Sequence, residues 1–360
     1  MKILLVGEFS GLHNNLKDGL QELGHEVVLA STGDGWKNFP SDFNWSASIF
    51  KGKVGHIEHL LKQYKFSKMF KNFDIVQFIS SYTIFDNRFG IGKICYKNYI
   101  KYNNKSFFVG AGGDPNIWQY WLHENDKLMS NLIDQTNKID LSSRLVKMLL
   151  DPIEAKKTTD LITEANGYIP IMYEYAEPYR CLKNIRKTIP IPINCNKIQY
   201  QENKINRKLV VFHGLNRPGA KGTEYVKKAF DILRKKYPND LELVISGNMK
   251  YEDYLKFIKT VNVNVDQTNT YSFGINALNS LASGKVTLGG VEKQSIEELG
   301  YDECPALNIK PNAKDIVSKI ENLLENKNEI PELGYQSRQF VEKYHNHIQI
   351  AKQYLDVWSK

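Results

Sequence analysis

Leu209-Val210-Val211-Phe212-His213-Gly214-Leu215-Asn216-Arg217-Pro218-Gly219-Ala220-Lys221-Gly222 opens the stretch that decides the fold. An apolar run of strand length breaks into a glycine-rich loop. Tyr225, Val226, Ala229, Phe230, Ile232 and Leu233 then recur at helical spacing among charges. This reads as buried strand, loop and amphipathic helix. Arg217 and Lys221 bracket the loop where the helix begins. A helix N-terminus attracts anions through its free N–H groups and its dipole. Two cations there suit a diphosphate, the arginine forking onto two oxygens. The same residues also read as a surface turn with two solvated cations, because short motifs match often by chance.

The residues downstream favour a site. Leu241–Ser246 reads as a second strand, followed by Gly247-Asn248, and Val261–Val265 as a third, followed by Asp266-Gln267. Tyr271-Ser272-Phe273-Gly274 opens a helix over Ile275–Ser283 that stops at Gly284. A fourth strand, Val286–Leu288, runs into Gly289-Gly290. Strands that end in Gly, Asn or Asp and feed helices line one crevice of an open parallel sheet, where ligands bind.

The first half repeats the theme. Lys2–Gly7 is a buried strand that breaks into Gly7-Glu8-Phe9-Ser10-Gly11. Leu12, Leu16, Leu20 and Leu23 mark a helix that stops at Gly24, and His25–Ala30 is the second strand. Gly7 and Gly11 do not make the GxGxxG fingerprint, so NAD is not expected here. Ser10, Gly11 and His13 sit where this sheet's crevice falls; for a lone His the alternative is a helix-start residue without chemistry. Asp74–Phe78 and Lys105–Val109 are further strands. The latter ends in Gly110-Ala111-Gly112-Gly113-Asp114-Pro115, where glycines let backbone approach a ligand closely. Asp114 is the cluster's only carboxylate and the candidate for taking a hydroxyl proton; a turn-forming Asp before proline is the alternative. Residues 122–165 read as mostly helical, with a start at Asp151-Pro152. Proline-stiffened Ile189–Asn194 and the polar run to Asn206 mark a boundary.

Here the residues resemble a known family. Gly214, Arg217 and Lys221-Gly222 resemble the diphosphate loop of the retaining, "group 1" GT-B glycosyltransferases. Ser272-Phe273-Gly274 with Ala277-Leu278, Leu281-Ala282 and Gly284-Lys285 resembles their nucleotide-sugar motif. Leu20-Gln21-Glu22-Leu23-Gly24-His25-Glu26-Val27 resembles their entry into strand two. The likeness spans most of the chain, thinly in the middle. One departure stands out: the family carries a Glu at each of the positions that Tyr271 and Asn279 hold here, and no carboxylate lies between Tyr271 and Gly284.

The resemblance implies two Rossmann-like α/β domains facing across a cleft. Residues 1–195 would hold the acceptor, 206–340 the nucleotide-sugar, and 341–360 a helix crossing back to the first domain. It implies a retaining hexosyltransferase acting from a nucleotide-diphosphate-sugar onto a glycan or lipid-linked acceptor, with no metal and no cofactor. Arg217 and Lys221 would neutralise the departing diphosphate. Backbone N–H groups near Ser272-Phe273-Gly274 would hold phosphate or sugar oxygens, and Gly214, Asp266 and Gln267 would line the donor site. Tyr271 would contact the sugar, Asn279 the ribose, and Asn248 would lie near the base. Ser10, Gly11, His13 and Gly113 would line the acceptor side. Two other classes share these residues: a non-catalytic nucleotide-sugar binder and a sugar-nucleotide epimerase on the same fold.

Composition agrees. The 360 residues suffice for two domains, and a charged content of 24% is ordinary for a globular protein. The N-terminal apolar run is too short for a signal peptide and meets Glu8 at once, so a cytoplasmic address is expected. Cys95, Cys181, Cys195 and Cys304 form no CxxC and read as reduced thiols. A formal net charge of +8 suits an anionic partner, and no nucleic-acid motif accompanies it. Residues 37–72 are basic and aromatic, including Phe39, Trp45, Phe50, Tyr64, Phe66 and Phe70. They read as a solvated insertion or as exposed rings facing anionic lipid at the inner face of a membrane.

Overall fold

A computed structural model describes residues 1–46, 50, 52–82, 84–85, 88–124, 126, 144–215, 221–247 and 256–360. They form two compact α/β units. The first comprises Met1–Gln119, Met148–Asn194 and His347–Lys360, and the second Tyr120–Lys147 and Cys195–Asn346.

The first unit holds six parallel strands: β1 (Lys2–Val6), β2 (Glu26–Ser31), β3 (Phe43–Asn44), β4 (Ile75–Phe78), β5 (Lys105–Gly110) and β6 (Gly167–Pro170). Their order is β3-β2-β1-β4-β5-β6, with Ile3 paired to Val27 on one side and to Ile75 on the other. Ile3, Leu4, Leu5 and Val6 are all buried, as a central parallel strand covered on both faces requires. Asp151 starts the helix Pro152–Thr163 by accepting a hydrogen bond from the Ile153 N–H (2.9 Å), with proline at the first helical position.

The terminal helix His347–Ser359 belongs to this unit. It lies against the helix Leu12–Glu22, where a side chain at Gly19 would strike the His347 carbonyl. Polar contacts help fix it: among them the Trp358 indole donates to Gln77 Oε1 (3.2 Å), Lys105 Nζ donates to the Trp358 carbonyl (2.9 Å), and His347 Nε2 lies 2.9 Å from Glu22 Oε1. The tail separates into this helix and Ile330–Tyr344, which stays with the second unit.

The second unit holds β7 (Leu209–Gly214), β8 (Leu241–Ser246), β9 (Val263–Val265), β10 (Val286–Gly289) and β11 (Leu307–Asn308), all parallel, in the order β11-β10-β9-β7-β8. Leu209, Val211, Val263, Val265, Val286 and Leu288 form its core with Val226, Phe230 and Leu233 of the helix Thr223–Lys236. In each sheet the strand order reverses beside the first strand, between β1 and β4 and between β7 and β9. Such a reversal opens a crevice at the strands' C-terminal ends.

Residues 37–72 bury some of their rings and expose others. Trp45 and Phe70 are buried, and Trp45, Phe43, Phe66 and Phe70 pack on one another and on Phe85 and Tyr99. Trp45 and Phe70 are core, Phe43 and Phe50 stay exposed, and the helix Gly52–Met69 exposes aliphatic side chains.

Candidate functional site

The reversal between β7 and β9 brings together residues that the sequence keeps far apart. Lys221 Nζ lies 3.0 Å from Asp266 Oδ1, both side chains buried. Lys221 ends the loop after β7 and Asp266 follows β9. The ammonium also approaches Gly214, since a Cβ there would sit 3.6 Å from it. Gly222 turns the chain into the helix with φ +63°, and a side chain there would strike the Thr268 hydroxyl. Only glycine meets both demands. The helix starts with no side-chain cap. Arg217 and Asn248 lie outside the described residues.

His213 forms the floor. Its Nδ1 is 2.8 Å from the Val265 carbonyl and its Nε2 is 2.8 Å from Thr223 Oγ1. A carbonyl only accepts, so Nδ1 carries the proton and Nε2 accepts from threonine. Burial, helped by the Lys221 charge, pushes its pKa down to about 4, so the ring is neutral. It pins β7 to β9 and to the helix start.

The second part of the site is Thr270–Gly274. Gln267 Nε2 and Thr270 Oγ1 both donate to the Ser272 carbonyl (2.8 Å each), and the Ser272 and Ser295 hydroxyls are 2.7 Å apart. Phe273 packs into a ring cluster with Phe340 and His345, away from any polar role. These contacts fix the backbone at Gly274, beside which a side chain would meet open space. Helix Ile275–Ala282 begins there, again without a side-chain cap. Arg338 holds its far end by donating to the Ala282 carbonyl (2.9 Å). Asn279, half-buried on this helix, has no side-chain hydrogen bond among the described residues. Tyr271 is more tightly held: its hydroxyl donates to Asp126 Oδ2 (2.6 Å) and its ring stacks on Trp121 at 5.6 Å.

In the first unit the corresponding strand end is filled from within. Glu8 accepts from the N–H groups of Gly11 (2.8 Å) and Asn14 (2.9 Å) and from Asn14 Nδ2 (2.6 Å). Burial nevertheless raises its pKa to about 7. Ser10 Oγ accepts from Lys37 Nζ (2.7 Å), and Lys37 pairs with Asp34 (2.6 Å). His13 is fully buried: its Nδ1–H donates to the Gly7 carbonyl (2.7 Å) and its Nε2 accepts from Gln77 (3.2 Å). Burial lowers its pKa to about 3, so it is a neutral brace. Asp114 is buried at the start of the helix Pro115–His123. It accepts from the Ile117 N–H (3.1 Å), Tyr179 OH (2.7 Å) and Ser81 Oγ (3.2 Å). Burial raises its pKa against those bonds. Gly113 lies where a side chain would strike the Trp118 indole.

Sequence reading passed over three of these residues. Glu8 carried a signal as a carboxylate between a buried strand and a helix start. Asp126 and Trp121 carried none, since nothing local ties them to Tyr271. Among the described residues no group of three or more His, Cys, Asp or Glu is placed to hold a metal, and no helix is long and apolar enough to cross a membrane.

No family model matches the chain, and no curated protein matches its sequence. Solved structures do. A sucrose-phosphate synthase from Thermosynechococcus elongatus superposes with a TM-score of 0.66 at 13% identity, covering 100% of this chain and 98% of that one. HepE from Anabaena, solved with UDP and glucose, gives 0.61 at 11% identity with 100% of both chains covered. A glycosyltransferase from Rickettsia africae gives 0.57 at 12% identity, covering 99% and 97%. The chain therefore has the GT-B fold of two Rossmann-like α/β units.

Proposed function

We propose that this chain is a glycosyltransferase that moves a hexosyl group from a nucleotide-diphosphate-sugar to a glycan or lipid-linked acceptor, with retention and without a metal. One observation carries the placement of the donor. The two units begin with the same strand-turn-helix, but Glu8 occupies the helix start of the first, whereas the second leaves its start uncapped with Lys221 beside it. The first start has its N–H groups already taken by Glu8, whereas an anion is drawn to the second. Lys221, joined by Arg217, stabilises the charge that grows on the leaving diphosphate. The start of Ile275–Ala282 takes phosphate or sugar oxygens, Asn279 takes the ribose, and Tyr271, steadied by Asp126, borders the sugar. Transfer of the acceptor proton to Asp114 would require release of its bonds to Tyr179 and Ser81. The neighbours support the same class, because HepE was solved with UDP-glucose.

Incubation with UDP-, GDP- and ADP-sugars tests this. Transferase activity releases nucleoside diphosphate from one of them in the presence of acceptor. Conversion of donor alone to a new sugar nucleotide would make the protein an epimerase. Heat on titration without turnover would make it a binder.

A further inference from the structure

Helix Gly52–Met69 turns small and polar side chains inward and an aliphatic stripe outward. Its buried face carries Gly55, Gln63 and Ser67 alongside Leu60, and Asn98 donates to Ser67 Oγ (3.0 Å). Its exposed face carries Val54 (57% exposed), Ile57 (57%) and Leu61 (62%), a stripe continued backwards by Phe50 (56%). A surface helix ordinarily turns such a stripe to the core. At the same spacing Lys65 and Lys68 follow, both exposed. The helix Ile91–Tyr102 packs alongside and repeats the order: Phe89 ahead of it and Ile94 are exposed, then Lys97 and Lys101.

Charge is concentrated here. Residues 50–71 and 88–102 hold ten Lys and Arg against one carboxylate, Glu58, in a chain of net charge +8, so the rest of the chain carries −1. Lys62 takes Glu58 (2.6 Å) and Lys97 pairs with Glu164 (3.3 Å). We propose that these two helices dock the chain on an anionic lipid bilayer. The aliphatic stripe enters the headgroup boundary and the lysines meet lipid phosphates. Charge decides against a second copy as the occupant. A symmetric pairing would set this cationic surface against itself. The inference is independent of the glycosyl-transfer reading, and its test uses no turnover.

The full chain is sedimented with vesicles of phosphatidylcholine, with or without phosphatidylglycerol. It should follow only the anionic vesicles and leave them in about 0.5 M NaCl, where screening is nearly complete beyond contact. Ile57→Ser/Leu61→Ser should weaken partition about tenfold or more. Lys65→Gln/Lys68→Gln should weaken it about 25-fold, near fivefold for each lysine. All four side chains are exposed or half-exposed, so the unfolding midpoint of both variants should match wild type. Equal binding to neutral vesicles, or wild-type binding by either variant, overturns the proposal. So does a dimer in light scattering that Ile57→Ser/Leu61→Ser dissociates, which would give the stripe to a second copy.

Discussion

Removing the carboxylate opposite Lys221 separates a structural ion pair from an anion site. In Asp266→Asn the buried ammonium loses its counter-charge at 3.0 Å. Breaking a buried pair from one side costs about 3–5 kcal/mol, because the remaining charge is left uncompensated. For a unit of this size that is a fall of roughly 6–20 °C in Tm. A nucleoside diphosphate brings negative charge to the same ammonium, so it should bind Asp266→Asn about tenfold tighter or more and restore a large part of the lost Tm. Lys221→Met/Asp266→Asn has no buried charge left and should recover most of the stability, since replacing both ions is close to neutral. It should not recover nucleotide binding. Thermal unfolding and calorimetric titration with UDP, GDP and ADP read both quantities. A double variant that binds nucleotide like wild type would refute the reasoning and leave Lys221 a partner of Asp266 only. So would an Asp266→Asn variant that binds no tighter.

Lys285 is 2% exposed and donates only to the Lys259 carbonyl (3.2 Å) among the contacts described, and burial lowers its pKa to about 8. The folded state therefore penalises its charge by about 3 kcal/mol below pH 8, and stability rises with pH between about 8 and 10.5 as the native state sheds the proton first. Lys285→Met should gain about 1–2 kcal/mol at pH 7, after losing roughly 1 kcal/mol of hydrogen bond; denaturant unfolding at pH 7 and 9.5 should show the gain shrinking, and a pH-independent difference would contradict it. Gly222→Ala should cost more than Gly35→Ala, because both backbones are left-handed but only the former meets another atom, the Thr268 hydroxyl. Equal Tm losses would rule that contact out. On the glycosyl-transfer reading, Asn279→Ala should weaken nucleotide binding with turnover at saturation kept, and Tyr271→Phe should lower turnover with nucleotide binding kept; unchanged values in both would remove this helix from the donor site.

The periodic elements were legible in the sequence because their apolar spacing is local. β1, β7 and the helices Leu12–Glu22 and Thr223–Lys236 appear within a residue or two of where alternation and glycine stops put them. β3, two residues long, was not, because its pairing with β2 gives it strand identity that Phe43-Asn44 alone does not carry. The strand ends were legible as places, and Lys221, Asp266 and Gly214 do converge at one of them. Their state was not. Spacing does not show that Lys221 faces a carboxylate, nor that Glu8 fills the helix start it precedes. Both are long- or medium-range contacts that only the folded sheet creates. The stretch 37–72 was legible only in part. Lysines surround its rings in the sequence, and packing buries Trp45 and Phe70 while Phe50 and the aliphatic stripe stay exposed.

The acid–base groups at the strand ends limit the chemistry they can perform. His13 and His213 are each fixed by two hydrogen bonds and held neutral well below physiological pH, so neither exchanges a proton near pH 7. Asp114 gives its oxygens to an N–H and two hydroxyls, and Glu8 to two N–H groups and an amide. Taking a proton would cost either carboxylate its charge-assisted bonds, and Glu8, raised to about 7 by burial, titrates near neutral pH while committed to its helix start. At the second unit's strand ends, where His213 stays neutral, the barrier on the glycosyl-transfer reading is lowered by charge placement. On that reading the difficult step is the departure of an anion, and the cation at Lys221 and the uncapped helix starts would bear the weight of catalysis.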